Sequence, residues 1–201
     1  MRVLFIGNSH TYCNDMPQIF AQICRAEGVE TAIAMLAHGG VGWDFHWKEP
    51  EARFNLLYGG YDAVVLQHCA HPMGDLQVMA QAGAALIRLA KAAGARPILY
   101  MTWTQEADGE QAQPAMSRAY TSLAQAEGGA LAPVGNAWWI LRRLSPDTEL
   151  FAPDRAHASP TGSRLAAYAI ACAVLEKRPE EFVRAPAEDK ILLKAIAEAL
   201  V

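Results

Sequence analysis

Residues 2–15 read Arg-Val-Leu-Phe-Ile-Gly-Asn-Ser-His-Thr-Tyr-Cys-Asn-Asp, a strand signal followed by a polar segment. Val3–Ile6 is a short, continuous apolar run of the kind that fills a buried parallel strand. Gly7 ends this run, and Ser9 follows in what we predict to be a small polar turn. The stretch therefore predicts a strand that leads directly to a hydroxyl group.

A helix is predicted next, at Met16–Ala26, with Asp15 as its N-cap and Pro17 in its first turn. A strand end, a glycine, a serine and a helix start form the geometry that presents a nucleophile. Its hydroxyl would lie at the carboxyl edge of the sheet, where backbone N–H groups can face an incoming oxyanion. The alternative interpretation is an ordinary polar strand-to-helix turn.

The composition predicts one globular domain that covers residues 1–201. A chain of 201 residues can bury a sizeable core, and 52% hydrophobic with 19% charged residues is typical of globular rather than disordered proteins. The net charge of −4 provides no basic surface for nucleic acid, so we expect no nucleic-acid partner. No repeat, low-complexity tract or linker divides the sequence.

The sequence also predicts a cytoplasmic protein with no membrane partner. No apolar run reaches the length of a membrane span, and the sequence opens directly into the first strand without a signal peptide. An export signal trimmed from the sequence is the open alternative. The cysteines form no C-x-x-C pair, and we expect reduced thiols at Cys13, Cys24, Cys69 and Cys172.

Strand and helix signals alternate along the rest of the chain. Further strands are predicted at Val29–Leu36, Ala63–Leu66, Pro97–Met101 and Leu131–Val134. Further helices are predicted at Asp44–Tyr58, Leu76–Ala93, Gln111–Glu127, Trp138–Leu144 with Asn136 as its cap, Pro160–Glu176 and Ala187–Leu200. This alternation predicts an α/β fold, a three-layer α/β/α sandwich with a flavodoxin-like parallel sheet of about five strands.

The residues that follow the strands form the candidate site, because ligands of open α/β sheets bind at the carboxyl ends of the strands. They are Ser9, Gly39–Gly42, Gln67, His68, Thr102 and Trp103, together with Asp154 and His157 in the loop after the last strand. A hydroxyl nucleophile needs a base to take its proton and a carboxylate to fix the tautomer of that base. Asp154 and His157 supply both groups three residues apart, and Ser9 supplies the hydroxyl.

Two blocks of these residues resemble a known family, the SGNH (GDSL-type) hydrolases. Gly7-Asn8-Ser9-His10 resembles its first block, and Asp154-x-x-His157-x-Ser-x-x-Gly162 resembles its last block. The similarity is closest to a branch with Gly-Asn-Ser near the N-terminus and Val-Val-Leu-Gln after the third strand, here Val64–Gln67. It extends to about Leu175. The resemblance implies a serine esterase in which Ser9 is the nucleophile, His157 the general base and Asp154 the orienting acid, with no metal and no organic cofactor.

The resemblance also implies an oxyanion hole made by the N–H of Ser9, a glycine N–H and an asparagine side chain. For the glycine, Gly40 fits the closest branch and is preferred, while Gly42 fits the broader family pattern. The asparagine is absent, because the sequence has Gln67-His68-Cys69-Ala70 where the family has Gly-x-Asn-Asp. Gln67 is the predicted replacement, and His68 is the alternative.

Four further residues are possible substrate contacts: Gly42, Trp43, His68 and Trp103. The two tryptophans follow strand ends and could stack on a sugar or acyl group, although core packing is the more usual role of a tryptophan. Trp138 and Trp139 are interpreted as core or interface residues, and His10, His38 and His46 as loop or surface histidines. His68-x-x-His71 has a spacing that metal ligands use, but nothing nearby completes a site, so no metal is predicted.

The resemblance, together with the tryptophans, predicts a small-molecule ester as the partner, with a small acyl group such as acetyl on a carbohydrate or other alcohol. One alternative is a non-catalytic domain on the same fold that binds a small molecule or carbohydrate, since the third block is altered. A nucleotide-binding flavodoxin-like protein is a third class, but the sequence has neither G-x-G-x-x-G nor a Walker lysine. The oligomeric state and the natural substrate are left open.

Overall fold

A fully parallel five-stranded sheet forms the centre of the computed structural model, which describes residues 1–200. Its strands are β1 (Arg2–Gly7), β2 (Ala32–Ala37), β3 (Ala63–Leu66), β4 (Arg96–Tyr100) and β5 (Ala130–Ala132). Their spatial order is β2-β1-β3-β4-β5, so the direction of winding reverses between β1 and β3. A crevice at this switch point is where open α/β sheets bind their ligands.

Nine α-helices pack around the sheet in the described part of the chain. They are α1 (Ser9–Tyr12), α2 (Met16–Ala26), α3 (Trp43–Lys48), α4 (Pro50–Tyr58), α5 (Leu76–Ala92), α6 (Gln113–Glu127), α7 (Val134–Leu144), α8 (Pro160–Leu175) and α9 (Lys190–Ala199). Helices α2, α7, α8 and α9 share one apolar cluster with the sheet, and α3 to α6 share the other. The predicted three-layer α/β/α sandwich is therefore confirmed.

Both faces of the sheet are buried, and successive side chains of a strand enter opposite cores. In β1, Val3 and Phe5 face the cluster with α2 and α8, while Leu4 and Ile6 face the cluster with α3 and α5. All four side chains have no exposed surface. This two-sided burial explains why the strand reads as a continuous apolar run rather than an alternating one.

The largest difference from the predicted helices lies at Pro50. We predicted one helix over Asp44–Tyr58, whereas α3 ends at Lys48 and α4 begins at Pro50. Proline has no N–H for the helical hydrogen bond and disfavours the helical conformation of the residue before it. Accordingly Glu49 is extended, with φ −74° and ψ 126°. The other helices and strands match the predictions within a few residues at each end.

Three local predictions near the chain turns are wrong. Ser9 does not lie in a loop but begins the single-turn helix α1, whose N-cap is Asn8. Asp15 precedes α2 in a left-handed conformation, with φ 52°, and its side chain makes no capping hydrogen bond. Asn136 lies inside α7 rather than at its start, and its Oδ1 accepts a hydrogen bond from Ser117.

No helix within residues 1–200 is both long enough and apolar enough to cross a bilayer. All four cysteines are free.

Helix α7 approaches the chain just after β4 closely at Gly135. A Cβ added at buried Gly135 would overlap the carbonyl oxygen of Thr102 and the amide of Gln113. Since that carbonyl belongs to the backbone, we expect Gly135→Ala to lower the free energy of unfolding by about 1–3 kcal/mol. Urea denaturation measures this, with Gln81→Ala at an exposed position of α5 as the control. Equal stability of the two variants would contradict the packing described.

Candidate functional site

The two ends of the chain meet at a serine, a histidine and an aspartate. Ser9 Oγ lies 2.7 Å from His157 Nε2, and His157 Nδ1 lies 2.6 Å from Asp154 Oδ2. Ser9 is the second residue after β1, and the other two lie in the loop between α7 and α8. The structure thus brings together the three residues that the sequence singled out. A hydroxyl, an imidazole and a carboxylate in this order can transfer a proton away from the hydroxyl.

Asp154 is held as a carboxylate by three hydrogen bonds. Its Oδ2 accepts the bond from the His157 ring, and its Oδ1 accepts from the backbone N–H of Ala156 at 3.0 Å and of His157 at 2.9 Å. The His157 bond and then the Ala156 N–H hold the pKa of Asp154 far below its usual range. An ionised Asp154 accepts a hydrogen bond from the N–H at Nδ1 of His157, which keeps the proton on Nδ1 and leaves Nε2 as the acceptor for the Ser9 hydroxyl.

Asn8 fixes the position of Ser9, and sequence reasoning gave it no role of its own. Its Oδ1 accepts from His10 N at 3.0 Å, which caps α1, and its Nδ2 donates to Val41 O at 2.9 Å. Its own N–H donates to Gln67 Oε1 at 2.8 Å. Asn8 therefore connects three strand ends, those of β1, β2 and β3. An asparagine just before a short helix is a known capping signal, and it could have been read as one.

Trp103 fastens the loop that carries His157 instead of lining a pocket. Its side chain has no exposed surface, it stacks on Trp138 with ring centroids 3.8 Å apart, and its Nε1 donates to Ala156 O at 2.9 Å. Glu106 N donates to Arg155 O in the same loop at 3.0 Å. The prediction that Trp103 contacts substrate is therefore wrong, because its indole is fully buried and its N–H is already used.

Trp43 is also a core residue. It has no exposed surface and packs in the cluster between α3 and α5, against His68 and Tyr120. Gly83 leaves room for its indole, since a Cβ there would lie 2.7 Å from the ring. Trp43 as a substrate contact is wrong for this reason. The interpretation of Trp138 and Trp139 as packed residues is confirmed, since both are buried.

Gln67 is not available as an oxyanion donor. Its side chain is fully buried, and its Nε2 donates to the carbonyl of His68. Its Oε1 accepts from the N–H of Asn8 and, at 3.0 Å, from the hydroxyl of Thr11. The structure therefore contradicts the prediction for Gln67, which instead ties β1 to β3.

His68 is engaged in the same way. Its Nδ1 accepts from Trp43 N at 3.0 Å, so the proton is on Nε2, which donates to Met73 O at 3.0 Å. With both nitrogens used and only 2% of its surface exposed, His68 neither replaces Gln67 as donor nor contacts substrate. Burial lowers its pKa, which keeps this ring neutral.

The two glycines of the loop after β2 differ in environment. Gly40 is exposed and has φ 73°, a left-handed conformation that favours glycine. Gly42 is buried, and a Cβ there would lie 2.6 Å from Cε1 of His68, so the residue serves close packing rather than substrate contact. The hydrogen bond from Asn8 to Val41 holds this loop beside Ser9. Gly40 remains the predicted oxyanion donor of the pair.

His10 and His71 form a cluster with His157 that the sequence did not reveal. The His10 ring centroid lies 4.9 Å from that of His157 and 5.0 Å from that of His71. His10 is 8% exposed, neither of its ring nitrogens has a hydrogen-bond partner, and burial lowers its pKa to about 3. Two of the histidines that we assigned to loops or the surface are in fact buried, His10 here and His46, which donates to Gly7 O at 2.8 Å.

A cavity of about 450 Å³ is lined by His71 and lies between the loops after β3 and β4. Its walls combine apolar side chains with four polar ones, those of His71, Thr104, Gln105 and Asp108. No group of three or more His, Cys, Asp or Glu side chains among the described residues could hold a metal ion.

Solved structures with the same fold include proteins named as hydrolases and esterases. A candidate SGNH hydrolase from Slackia heliotrinireducens is 31% identical and has a TM-score of 0.72, over 86% of this chain and 98% of that one. A DUF4886 family protein from Bacteroides uniformis has a TM-score of 0.81 at 16% identity, over 100% of this chain and 94% of that one. A catalytic mutant of an acetylxylan esterase from Geobacillus stearothermophilus has a TM-score of 0.67 at 14% identity, over 86% and 93%. No family model and no curated protein matches the sequence.

The role of Gln67 in joining two strands can be tested by its removal. Gln67→Leu leaves the N–H of Asn8 and the hydroxyl of Thr11 without an acceptor in a buried place. We expect the free energy of unfolding to fall by about 1–3 kcal/mol or more, measured by urea denaturation. The matched control is Gln125→Leu on the exposed face of α6. A loss no larger than that of the control would contradict the role described.

The burial of His10 predicts a pH dependence of stability. Because its pKa falls from 6.5 in the unfolded chain to about 3 in the folded one, the unfolded state binds more protons between these values. Above pH 6.5 protonation of His10 does not affect the free energy of unfolding. Below pH 6.5 it lowers the free energy of unfolding increasingly as the pH drops toward 3. When the pH is lowered from 7.5 to 5.0, we expect the free energy of unfolding to fall by about 2 kcal/mol less in His10→Gln than in wild type. His38→Gln, at an exposed ring, is the control, and equal pH dependence of wild type and His10→Gln would refute the assignment.

Proposed function

Because this chain belongs to the SGNH hydrolases, we propose that it is a serine esterase that hydrolyses a carboxylic ester through an acyl-enzyme. The observation that carries the proposal is the 2.7 Å contact between Ser9 Oγ and His157 Nε2, with Asp154 on the other nitrogen. A serine that occurs after a strand by chance has no reason to meet a distant imidazole in this arrangement. A solvated polar turn would not require it.

In the first half of the reaction, Ser9 Oγ attacks the ester carbonyl while His157 Nε2 takes the hydroxyl proton. The new Oγ–C bond forms as the carbonyl π electrons move to the oxygen, which gives a tetrahedral oxyanion. Collapse of this intermediate breaks the bond to the alcohol, and the His157 imidazolium protonates the leaving oxygen. Asp154 stabilises the imidazolium through its charge and its 2.6 Å hydrogen bond.

In the second half, His157 takes a proton from water as that water attacks the acyl carbon. The second tetrahedral intermediate then collapses, the acid leaves, and the proton returns to Ser9 Oγ. Both halves use one base and one nucleophile, so the chain's own residues account for the proton balance.

Two backbone N–H groups are the proposed oxyanion donors. Ser9 is the first residue of α1, and an N–H in the first turn of a helix has no intrahelical partner. The second donor is the N–H of Gly40, in the loop that Asn8 holds at Val41. A third donor from Gln67 or His68 is not part of this proposal, because both side chains are engaged elsewhere.

The proposed substrate is a small acyl ester, such as an acetyl group, of a carbohydrate or other alcohol. The buried positions of Trp43 and Trp103 remove the stacking argument for a sugar. A cavity of about 450 Å³ supports the substrate class instead, since its lining residue His71 packs on His10 next to His157. Gln105 and Asp108 in its walls offer hydrogen-bond groups, and Met73 offers an apolar surface. The name of the structurally similar acetylxylan esterase is consistent with this class.

A fluorophosphonate probe tests the nucleophile directly. We expect stoichiometric labelling at Ser9, shown by peptide mapping, and complete loss of labelling in Ser9→Ala. Hydrolysis of short aryl esters is expected to fall at least about a thousand-fold in Ser9→Ala and His157→Gln, because nucleophile and base act as a unit. Ser122→Ala, at an exposed serine of α6, is the control and should behave as wild type.

A folded wild-type protein that is neither labelled nor active on aryl esters and acetylated sugars would contradict the proposal. It would favour a binding domain on the same fold. Labelling at a residue other than Ser9 would also overturn the assignment.

A further inference from the structure

We propose that Asn14 is a positioning residue that sets the distance between Ser9 and His157. This inference rests on the proposed function. The nucleophile and the base belong to segments far apart in sequence, so their 2.7 Å contact needs a link between those segments close to the reacting atoms. Asn14 provides it through the two hydrogen bonds of its side-chain amide.

The first of these bonds reaches the residue next to the base. Asn14 Nδ2 donates to the carbonyl oxygen of Ala158 at 2.8 Å, and Ala158 follows His157 directly in the chain. Ala158 is itself buried and pairs with Phe151 in an antiparallel bridge, so this carbonyl is a fixed point of the loop. A displacement of Asn14 relative to Ala158 is therefore a displacement relative to His157.

The second bond reaches the helix that follows the loop. Asn14 Nδ2 also donates to Ser163 Oγ at 2.9 Å, and that hydroxyl in turn donates to the carbonyl of Cys13 at 3.4 Å. Ser163 is buried in the first turns of α8. Cys13 and Asn14 therefore hold both the end of the loop that carries the base and the start of the helix that follows it.

Cys13 and Asn14 are connected to Ser9 by the single turn of α1. The backbone N–H of Cys13 bonds to the carbonyl of Ser9, which closes α1 immediately before Asn14. The carbonyl of His10 accepts from the buried hydroxyl of Tyr100 at 3.1 Å, which anchors this turn on the sheet. Because Tyr100 anchors α1 on the sheet and Asn14 binds Ala158 at the end of α1, Ser9 has little freedom to move relative to Ala158.

The backbone at Asn14 also departs from the conformation that most residues prefer. Its φ and ψ are 54° and 28°, and the next residue, Asp15, has φ 52°. A left-handed conformation costs free energy for residues other than glycine, and asparagine tolerates it better than most. A simple connection between α1 and α2 does not need two such residues in succession. This turn directs the Asn14 amide at Ala158 and Ser163.

The main variant is Asn14→Gly, because glycine tolerates the left-handed backbone and removes only the amide. Asn14 is exposed, so its removal leaves both cores intact. We expect kcat for an aryl ester to fall about 10- to 100-fold with KM nearly unchanged, the effect of a misplacement on the order of 1 Å between reacting groups. The rate of fluorophosphonate labelling at Ser9 should fall by a similar factor. Asp15→Gly is the matched control, since it changes the neighbouring left-handed residue and should keep wild-type kcat.

A spectroscopic readout separates positioning from general loss of structure. We expect the proton between His157 Nδ1 and Asp154 Oδ2 to give a low-field NMR signal, because the two atoms are 2.6 Å apart. Both residues lie within one loop. We expect this signal to remain in Asn14→Gly, while the ¹⁵N signal of His157 Nε2, which reports the contact with Ser9, shifts. Ser163→Ala removes the second partner of the amide and should shift the Nε2 signal in the same direction by a smaller amount.

Three results would overturn the inference: a kcat within about twofold of wild type in Asn14→Gly, an unshifted Nε2 signal, or loss of the low-field signal. Loss of the low-field signal would show that Asn14 maintains the fold of the His157 loop as a whole, rather than only the distance between His157 and Ser9. If wild type shows neither turnover nor labelling, the proposed esterase fails, but the Nε2 signal of the two variants still decides whether Asn14 sets the Ser9–His157 distance.

Discussion

The contact between Ser9 and His157 imposes the main constraint on this molecule, because it joins residues 148 positions apart in the sequence. A parallel sheet makes such a contact geometrically simple, since all its strands deliver their carboxyl ends to the same edge. β1 is the strand beside the switch point, and the loop before α8 returns over that edge. The rest of the site is a set of attachments that keep the two segments in register.

Side-chain amides and one indole make most of these attachments, and their partners are mainly backbone groups. Asn8 reaches Val41, Gln67 reaches His68, Asn14 reaches Ala158, and Trp103 reaches Ala156. An amide can donate and accept at once, so one side chain can satisfy groups from two loops. Loops have few regular hydrogen bonds of their own, and a buried backbone group without a partner is costly. The attachments therefore satisfy the loops and align them in the same step.

The features that the sequence predicted well are those that depend on local pattern. The apolar runs located the strands because both faces of this sheet are buried, and Asp154 and His157 were found because their hydrogen bond spans only one turn of chain. Trp43 and Trp103 were misassigned because a position after a strand does not determine whether the loop folds inward. The prediction that Gln67 is an oxyanion donor was wrong for a related reason. The direction of a long side chain depends on hydrogen-bond donors and acceptors that come from other loops. Asn14 carried no pattern at all, because its partners lie 144 and 149 residues away.

The charge of the site follows from the contrast between Asp154 and the histidines around His157. Hydrogen bonds lower the pKa of Asp154, so a full negative charge faces the base, while burial lowers the pKa of both His10 and His71. His10 packs on His157 and His71 packs on His10, so His10 contributes shape without charge beside His157. In the proposed reaction the imidazolium of His157 is then the one positive charge of the cluster and is balanced by one carboxylate. A second charged imidazole 4.9 Å away would oppose proton transfer from Ser9, so the burial of His10 favours the chemistry that the geometry allows.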